Sequence, residues 1–152
     1  MSSSLSPSSP PTSPSDADRA DEHTRSGGAT FSTGWPEPSC ALITARGDLD
    51  AANANDFVDW AMQHAAHAKR MVLDLSGIEF FGTAAFSALH TFNVRCAGAR
   101  AEWVLVPGPA VLRLLRICDP DAMFPLCDDV DTAMAALRGE SQRLLKLVAE
   151  PR

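Results

Sequence analysis

Apolar positions follow two rhythms along this chain. Ala54, Phe57, Val58, Ala61, Met62 and Ala65 recur at helical spacing, which predicts a helix with one buried face, led into by Gly47-Asp48-Leu49-Asp50. The rhythm returns in Ala85, Ala88, Leu89, Phe92 and Cys96, so residues 83–97 read as a second helix that Gly98 is placed to end. Pro107-Gly108-Pro109 turns into a third helix that runs to Cys118 and is stopped by Asp119-Pro120-Asp121. Val130, Ala133, Met134 and Leu137 mark a fourth, N-capped by Asp128 or Asp129. Short apolar runs at residues 71–75, 102–106 and 124–127 read as strands. The prolines between Trp35 and Ser39 make a turn, so residues 29–35 and 40–46 pair as a hairpin. The order β-β-α-β-α-β-α-β-α predicts an α/β single domain: one mixed sheet of four to five strands, right-handed crossovers and about four helices packed against it.

Composition sets the limits of that domain. Of the first 15 residues 8 are Ser and 4 are Pro, too few buriable side chains to offset the entropy of ordering the backbone. Residues 1–28 are therefore expected to be a disordered tail, and residues 29–152 the domain. The tail reads as solvated filler, with a kinase substrate or docking segment as the alternative. The chain has 152 residues and a formal charge of -6, which argues against a binder of nucleic-acid phosphates. No apolar run is long enough for a membrane-inserted helix. Cys40, Cys96, Cys118 and Cys127 lie far apart without a C-x-x-C pair, and no secretory signal opens the chain. A cytoplasmic location is expected.

Templates for catalysis do not fit. Lys69 and Lys146 are the only lysines and neither lies in a Gly-rich phosphate loop. His64, His67 and His90 fall within the expected helices, away from a nucleophile on a tight turn. The chain is therefore read as no enzyme, with no metal and no cofactor implied. His64 and His67 read as a pair of exposed imidazoles without a third ligand. Arg113 and Arg116 share one helix face and are suited either to a carboxylate or phosphate or to solvent. Asp48 and Asp50 present paired carboxylates, or Asp50 caps the following helix.

The run Asp74-Leu75-Ser76-Gly77-Ile78-Glu79-Phe80-Phe81-Gly82-Thr83 carries more. A buried strand ends, a short loop turns, and a hydroxyl stands where a helix begins and its first N–H groups point outward. A phosphate on Thr83 would meet those donors and the helix dipole, and would add about two negative charges to whatever docks there. The competing reading makes Thr83 a plain N-cap. Phe86, with His90 and Asn93, lies away from the buried stripe. It serves either as an aromatic anchor beside the small residues Thr83, Ala84 and Ser87, or as packing against a neighbouring element.

The order of elements, the Gly47-Asp48-Leu49-Asp50 segment and the Asp74-Leu75-x-x-Ile78-x-Phe80 run resemble the STAS domain, in particular bacterial anti-sigma factor antagonists, over residues 29–140. The resemblance implies a non-catalytic, STAS-like domain that binds an anti-sigma factor of the serine/threonine kinase type and so releases a sigma factor. It implies phosphorylation at the start of the second helix as the off switch and a phosphatase as its reversal. The family's D-S-S-G motif aligns with Gly82-Thr83-Ala84-Ala85, so the acceptor hydroxyl is kept by Thr83 while Gly82, Ala84 and Ala85 replace its neighbours. The expected partner surface comprises Asp48, Asp50, Gly82, Thr83, Ala84, Phe86, Ser87 and His90. A different role that STAS domains serve is as an accessory subunit of a membrane transporter or stress-signalling complex.

Overall fold

A computed structural model describes residues 22–118 and 124–149, with side chains up to Gly139. Its elements are β1 (Glu22–Ser26), β2 (Ala29–Glu37), β3 (Cys40–Leu49), α1 (Ala54–Met62), β4 (Arg70–Phe81), α2 (Thr83–Ala99), β5 (Glu102–Pro107), α3 (Pro109–Cys118) and α4 (Val130–Ala149). The sheet order is β1-β2-β3-β4-β5. The first three strands run antiparallel, and β3, β4 and β5 run parallel, so the sheet is mixed as expected.

Two helical layers cover the sheet. On one face, Phe57, Val58 and Ala61 of α1, Leu89 and Phe92 of α2, and Val111 and Leu115 of α3 share a core with Phe31, Ile43, Met71, Leu73 and Leu75. On the other, Ala133, Met134 and Leu137 of α4 pack on Cys40, Val72, Val104 and Val106. Burial on both faces explains why β4 and β5 read as continuous apolar runs rather than alternating ones.

Several expectations need correcting. The sheet begins at Glu22, inside the segment 1–28 assigned to a tail: β1 pairs with β2 from Glu22 opposite Thr33 to Ser26 opposite Ala29. Residues 1–21, the rest of that expected tail, and the Asp119-Pro120-Asp121 stop lie outside the described residues. The strand expected to end at residue 75 continues to Phe81, because two register shifts against β3 let it keep pairing past Ser76. The helix of α2 runs through Gly98 and ends instead at Arg100, whose φ of 59° is left-handed. There Ala101 N–H reaches Cys96 O at 2.9 Å and Arg100 N–H reaches Ala97 O at 3.2 Å, a Schellman closure without glycine. His64 and His67 follow the end of α1 rather than lying in it, and His64 is buried, with Nδ1 2.9 Å from Trp60 O and Nε2 2.9 Å from Glu22 Oε1. Of the strand expected at 124–127, one parallel bridge from Leu126 to Leu105 forms.

Candidate functional site

The carboxyl ends of β3 and β4 meet the amino end of α2 at one rim of the sheet. Gly47 makes the approach possible: it has φ 99°, and a Cβ there would lie 2.3 Å from Gly28 O. Only glycine fits that bulge. Beyond it Asp48 and Leu49 pair with Phe80 and Phe81, and Gly82 N–H donates to Leu49 O at 3.0 Å.

Asn53 ties this rim together from inside. It is 1 % exposed. Its Nδ2 donates to Ser26 O and Asp48 O at 2.9 Å each, and its Oδ1 accepts from Asp50 N–H at 2.9 Å. One side chain therefore joins the end of β1, the end of β3 and the start of α1. Asn53, not Asp50, stands at the N-cap position of α1. Asp50 shapes the turn before it: its carboxylate accepts from Ala52 N–H at 3.0 Å and its carbonyl accepts from Ala54 N–H at 2.9 Å. The capping reading of Asp50 is thus corrected to a turn role, and both Asp48 and Asp50 stay half-exposed at the rim.

Gly82, extended at φ -90° and ψ 175°, is the N-cap of α2, and no side chain caps the helix. Its carbonyl accepts from Ala85 and Phe86 N–H at 3.0 and 3.2 Å. The N–H groups of Thr83 and Ala84 have no acceptor within the helix. Thr83 is the first helical residue and is exposed, so the plain N-cap reading falls away. Ser87 is exposed one turn on, with Ala84 half-buried between them, while Ala85 belongs to the core.

Phe86 does not stand free. Its ring packs edge-on to His90 at 4.9 Å between centroids and lies 5.8 Å from Phe124, which in turn contacts His90 and Trp103. The exposed aromatic at this rim is Phe80, 53 % exposed, in the stretch that the sequence predicts to be a loop and that is the end of β4. Its ring leans over Gly82, where a Cβ would lie 3.2 Å from it. Between the end of β4 and α3, Glu79, Phe80, Phe81, Ala110, Arg113, Leu114 and Ile117 line a groove of about 160 Å³, and Ile117 is 73 % exposed. The rim thus gathers Asp48, Asp50, Gly82, Thr83, Ala84 and Ser87, adds Phe80 and Ile117, and turns Phe86 and His90 inward toward Phe124.

Chemically the rim offers a hydroxyl, unpaired amides and an apolar ledge. Among the described residues no group of three or more His, Cys, Asp or Glu side chains is placed to hold a metal ion, and no helix is long and apolar enough to cross a membrane.

Residues 37–133 match the family model of the STAS domain. Osmosensory protein A of Mycobacterium tuberculosis is 33% identical over 111 residues, which cover 70% of this chain and 70% of that protein. The anti-sigma-F factor antagonist RsfA of the same species is 29% identical over 102 residues, covering 64% of this chain and 80% of RsfA. An anti-sigma factor antagonist from Mycobacterium paratuberculosis superposes with a TM-score of 0.65 at 24% identity, over 72% of this chain and 94% of that one. The antagonist SpoIIAA in its unphosphorylated form superposes with a TM-score of 0.60 at 12% identity, over 72% and 96%.

Proposed function

Because the chain belongs to the STAS domain family, we propose that it acts as an anti-sigma factor antagonist: it binds an anti-sigma factor of the kinase type through the α2 rim and so frees a sigma factor. The observation that carries this reading is Thr83, exposed at the first turn of α2 with the amides of Thr83 and Ala84 unclaimed by the helix. The small residues Gly82, Ala84 and Ser87 allow a partner backbone to approach, and Phe80 beside them supplies an apolar anchor. The protein works by occupancy of that surface and makes or breaks no bond itself.

Thr83 is also the proposed switch. A kinase partner would transfer phosphate to its hydroxyl, the helix start would stabilise the added charge, and a phosphatase would reverse the step. About two negative charges beside Asp48 and Asp50 would then repel an acidic or apolar docking surface. The likeness to a protein named for osmosensing supports placing this switch in a stress response.

The test is equilibrium binding to the cognate anti-sigma factor. Thr83→Glu should weaken the complex by about tenfold or more, whereas Thr83→Ala should leave affinity within about twofold, since only the first adds charge at the helix start. Mass mapping after incubation with that kinase and ATP should place one phosphate on Thr83. Equal affinities for the two variants would end the switch reading, and absence of any complex with anti-sigma factors would end the functional one.

A further inference from the structure

The connections that leave β5 and the short segment beside it go to opposite faces of the sheet. β5 turns through Pro107-Gly108-Pro109 into α3, which packs with α1 and α2. The segment bridged to β5 at Leu126 passes Cys127 and Asp128 into α4, which packs on the other face. Two neighbouring parallel stretches whose connections diverge in this way open a crevice beyond their carboxyl ends, the place where open α/β sheets take ligands. Here that crevice is a cavity of about 490 Å³, within the range of small-molecule sites.

Its lining is chemically directed. Arg113 and Arg116, one turn apart on α3, form one wall, Asp128 and Cys127 stand on the α4 side, and Leu112 supplies an apolar patch. Neither guanidinium has a hydrogen-bond or ion-pair partner among the described residues. In a chain of net charge -6, two unpaired guanidinium forks line this cavity together. The mouth is also pinned: a Cβ on Gly108 would lie 2.5 Å from Ser76 O, so the turn rests directly on the backbone of β4.

We propose that this cavity binds a small phosphate ester whose other end carries a hydroxyl or amino group. Two guanidinium forks offer more donors than one carboxylate accepts, and they match the several terminal oxygens of a phosphate. Asp128, on the opposite wall, accepts a hydrogen bond from the hydroxyl or amine. Thr83 does not line this cavity and the proposal does not depend on the antagonist reading, although Arg113 also borders the groove beside Phe80 and Ile117.

Calorimetric and NMR titration of the full chain with glycerol 3-phosphate, inorganic phosphate, glycerol and malate tests the assignment. Glycerol 3-phosphate should bind saturably at millimolar concentration or below, with amide shifts centred on Gly108 and Cys127, and glycerol should not bind. The Arg113→Gln/Arg116→Gln double variant should weaken it by about tenfold or more, and the lysine double variant, which keeps charge but loses the forks, by an intermediate factor. Arg95→Gln, which removes one positive charge from another helix, should leave binding unchanged, whereas Arg113→Gln alone should weaken it. Asp128→Asn should weaken glycerol 3-phosphate while sparing or improving inorganic phosphate. All these side chains except Cys127 are exposed, so the variants should keep the wild-type urea midpoint. Absence of saturable binding, equal loss with Arg95→Gln, shifts centred elsewhere, or malate binding as tightly as glycerol 3-phosphate would overturn the proposal.

Discussion

At the scale of single residues, stability and recognition are assigned to different side chains of the same rim. Asn53 is buried and holds three backbone groups, one on β1, one on β3 and one in the turn before α1. Asn53→Ala removes all three bonds and leaves Ser26 O, Asp48 O and Asp50 N–H to find other partners. At about 1 kcal/mol for each lost bond, the variant should lose about 2–4 kcal/mol in urea unfolding. Phe80 presents the opposite case, because half of its side chain already faces solvent. Phe80→Ala should cost less than about 1 kcal/mol of stability, yet about 2 kcal/mol of partner affinity if it is the apolar anchor beside Thr83. Unchanged affinity with unchanged stability would remove Phe80 from the partner surface. Neither residue was legible in the sequence. Asn53 looks like any polar residue before a helix, and its value lies in distant carbonyls that only the fold brings near. Phe80 sits where buried positions in β4 fall at Leu75, Ile78 and Phe81, a spacing of three produced by register shifts that hides the strand's alternation.

At the scale of elements, what the sequence revealed depended on how much apolar surface each element buries. The stripe of α2, Ala85 to Cys96, is buried residue for residue as its spacing predicts, and so is the stripe of α4 from Ala133 to Leu137. The place of Thr83 at a helix start was equally legible, because a hydroxyl next to a glycine at a strand-to-helix junction has few places to go. β1 was not. Its Glu-His-Thr-Arg-Ser sequence buries no side chain fully and is held by backbone pairing, which leaves no hydrophobic signature. Caps were readable where a carboxylate does the capping: Asp129 accepts Thr132 N–H at 2.7 Å at the start of α4. That bond, chiefly from the backbone of Thr132, holds the Asp129 carboxyl below its ordinary value of 3.8. A depressed folded-state value means that the contribution is present above about pH 4 and is lost as pH falls through the folded value. Acid titration followed by NMR should therefore show the first turn of α4 fraying below pH 4 as Asp129 protonates. Asp129→Asn keeps an acceptor oxygen and should remove that pH dependence while largely preserving the cap. Persistence of the same acid transition in the variant would assign it to another group.

At the scale of the whole molecule, the start of the folded unit is a question of which contacts cross residue 28. Cutting the chain before residue 29, at the boundary that composition suggests, would remove β1 from the edge of the sheet. It would also take away Ser26 O from Asn53, the Ser26 hydroxyl from Asp56, Glu22 from buried His64 and Gly28 O from Asp48 N–H. Apart from the Glu22–His64 contact just beyond α1, these losses fall on α1 and its lead-in and on the strand ends that set the height of Thr83, so they bear on the proposed site as well as on stability. They would further leave β2 as a long unpaired edge, with Thr33 newly open on a strand already rich in β-branched and aromatic residues. A chain beginning at residue 29 should unfold more than about 10 °C below the full-length protein and should self-associate as concentration rises. A chain beginning at residue 21 retains every one of these contacts and should melt well above the chain beginning at residue 29. The pair of truncations separates two ideas that composition alone merges, a polar segment and a dispensable one. Equal melting temperatures for the two would mean that β1 adds nothing to the sheet, and that Asn53 holds α1 in place through Asp48 and Asp50 alone.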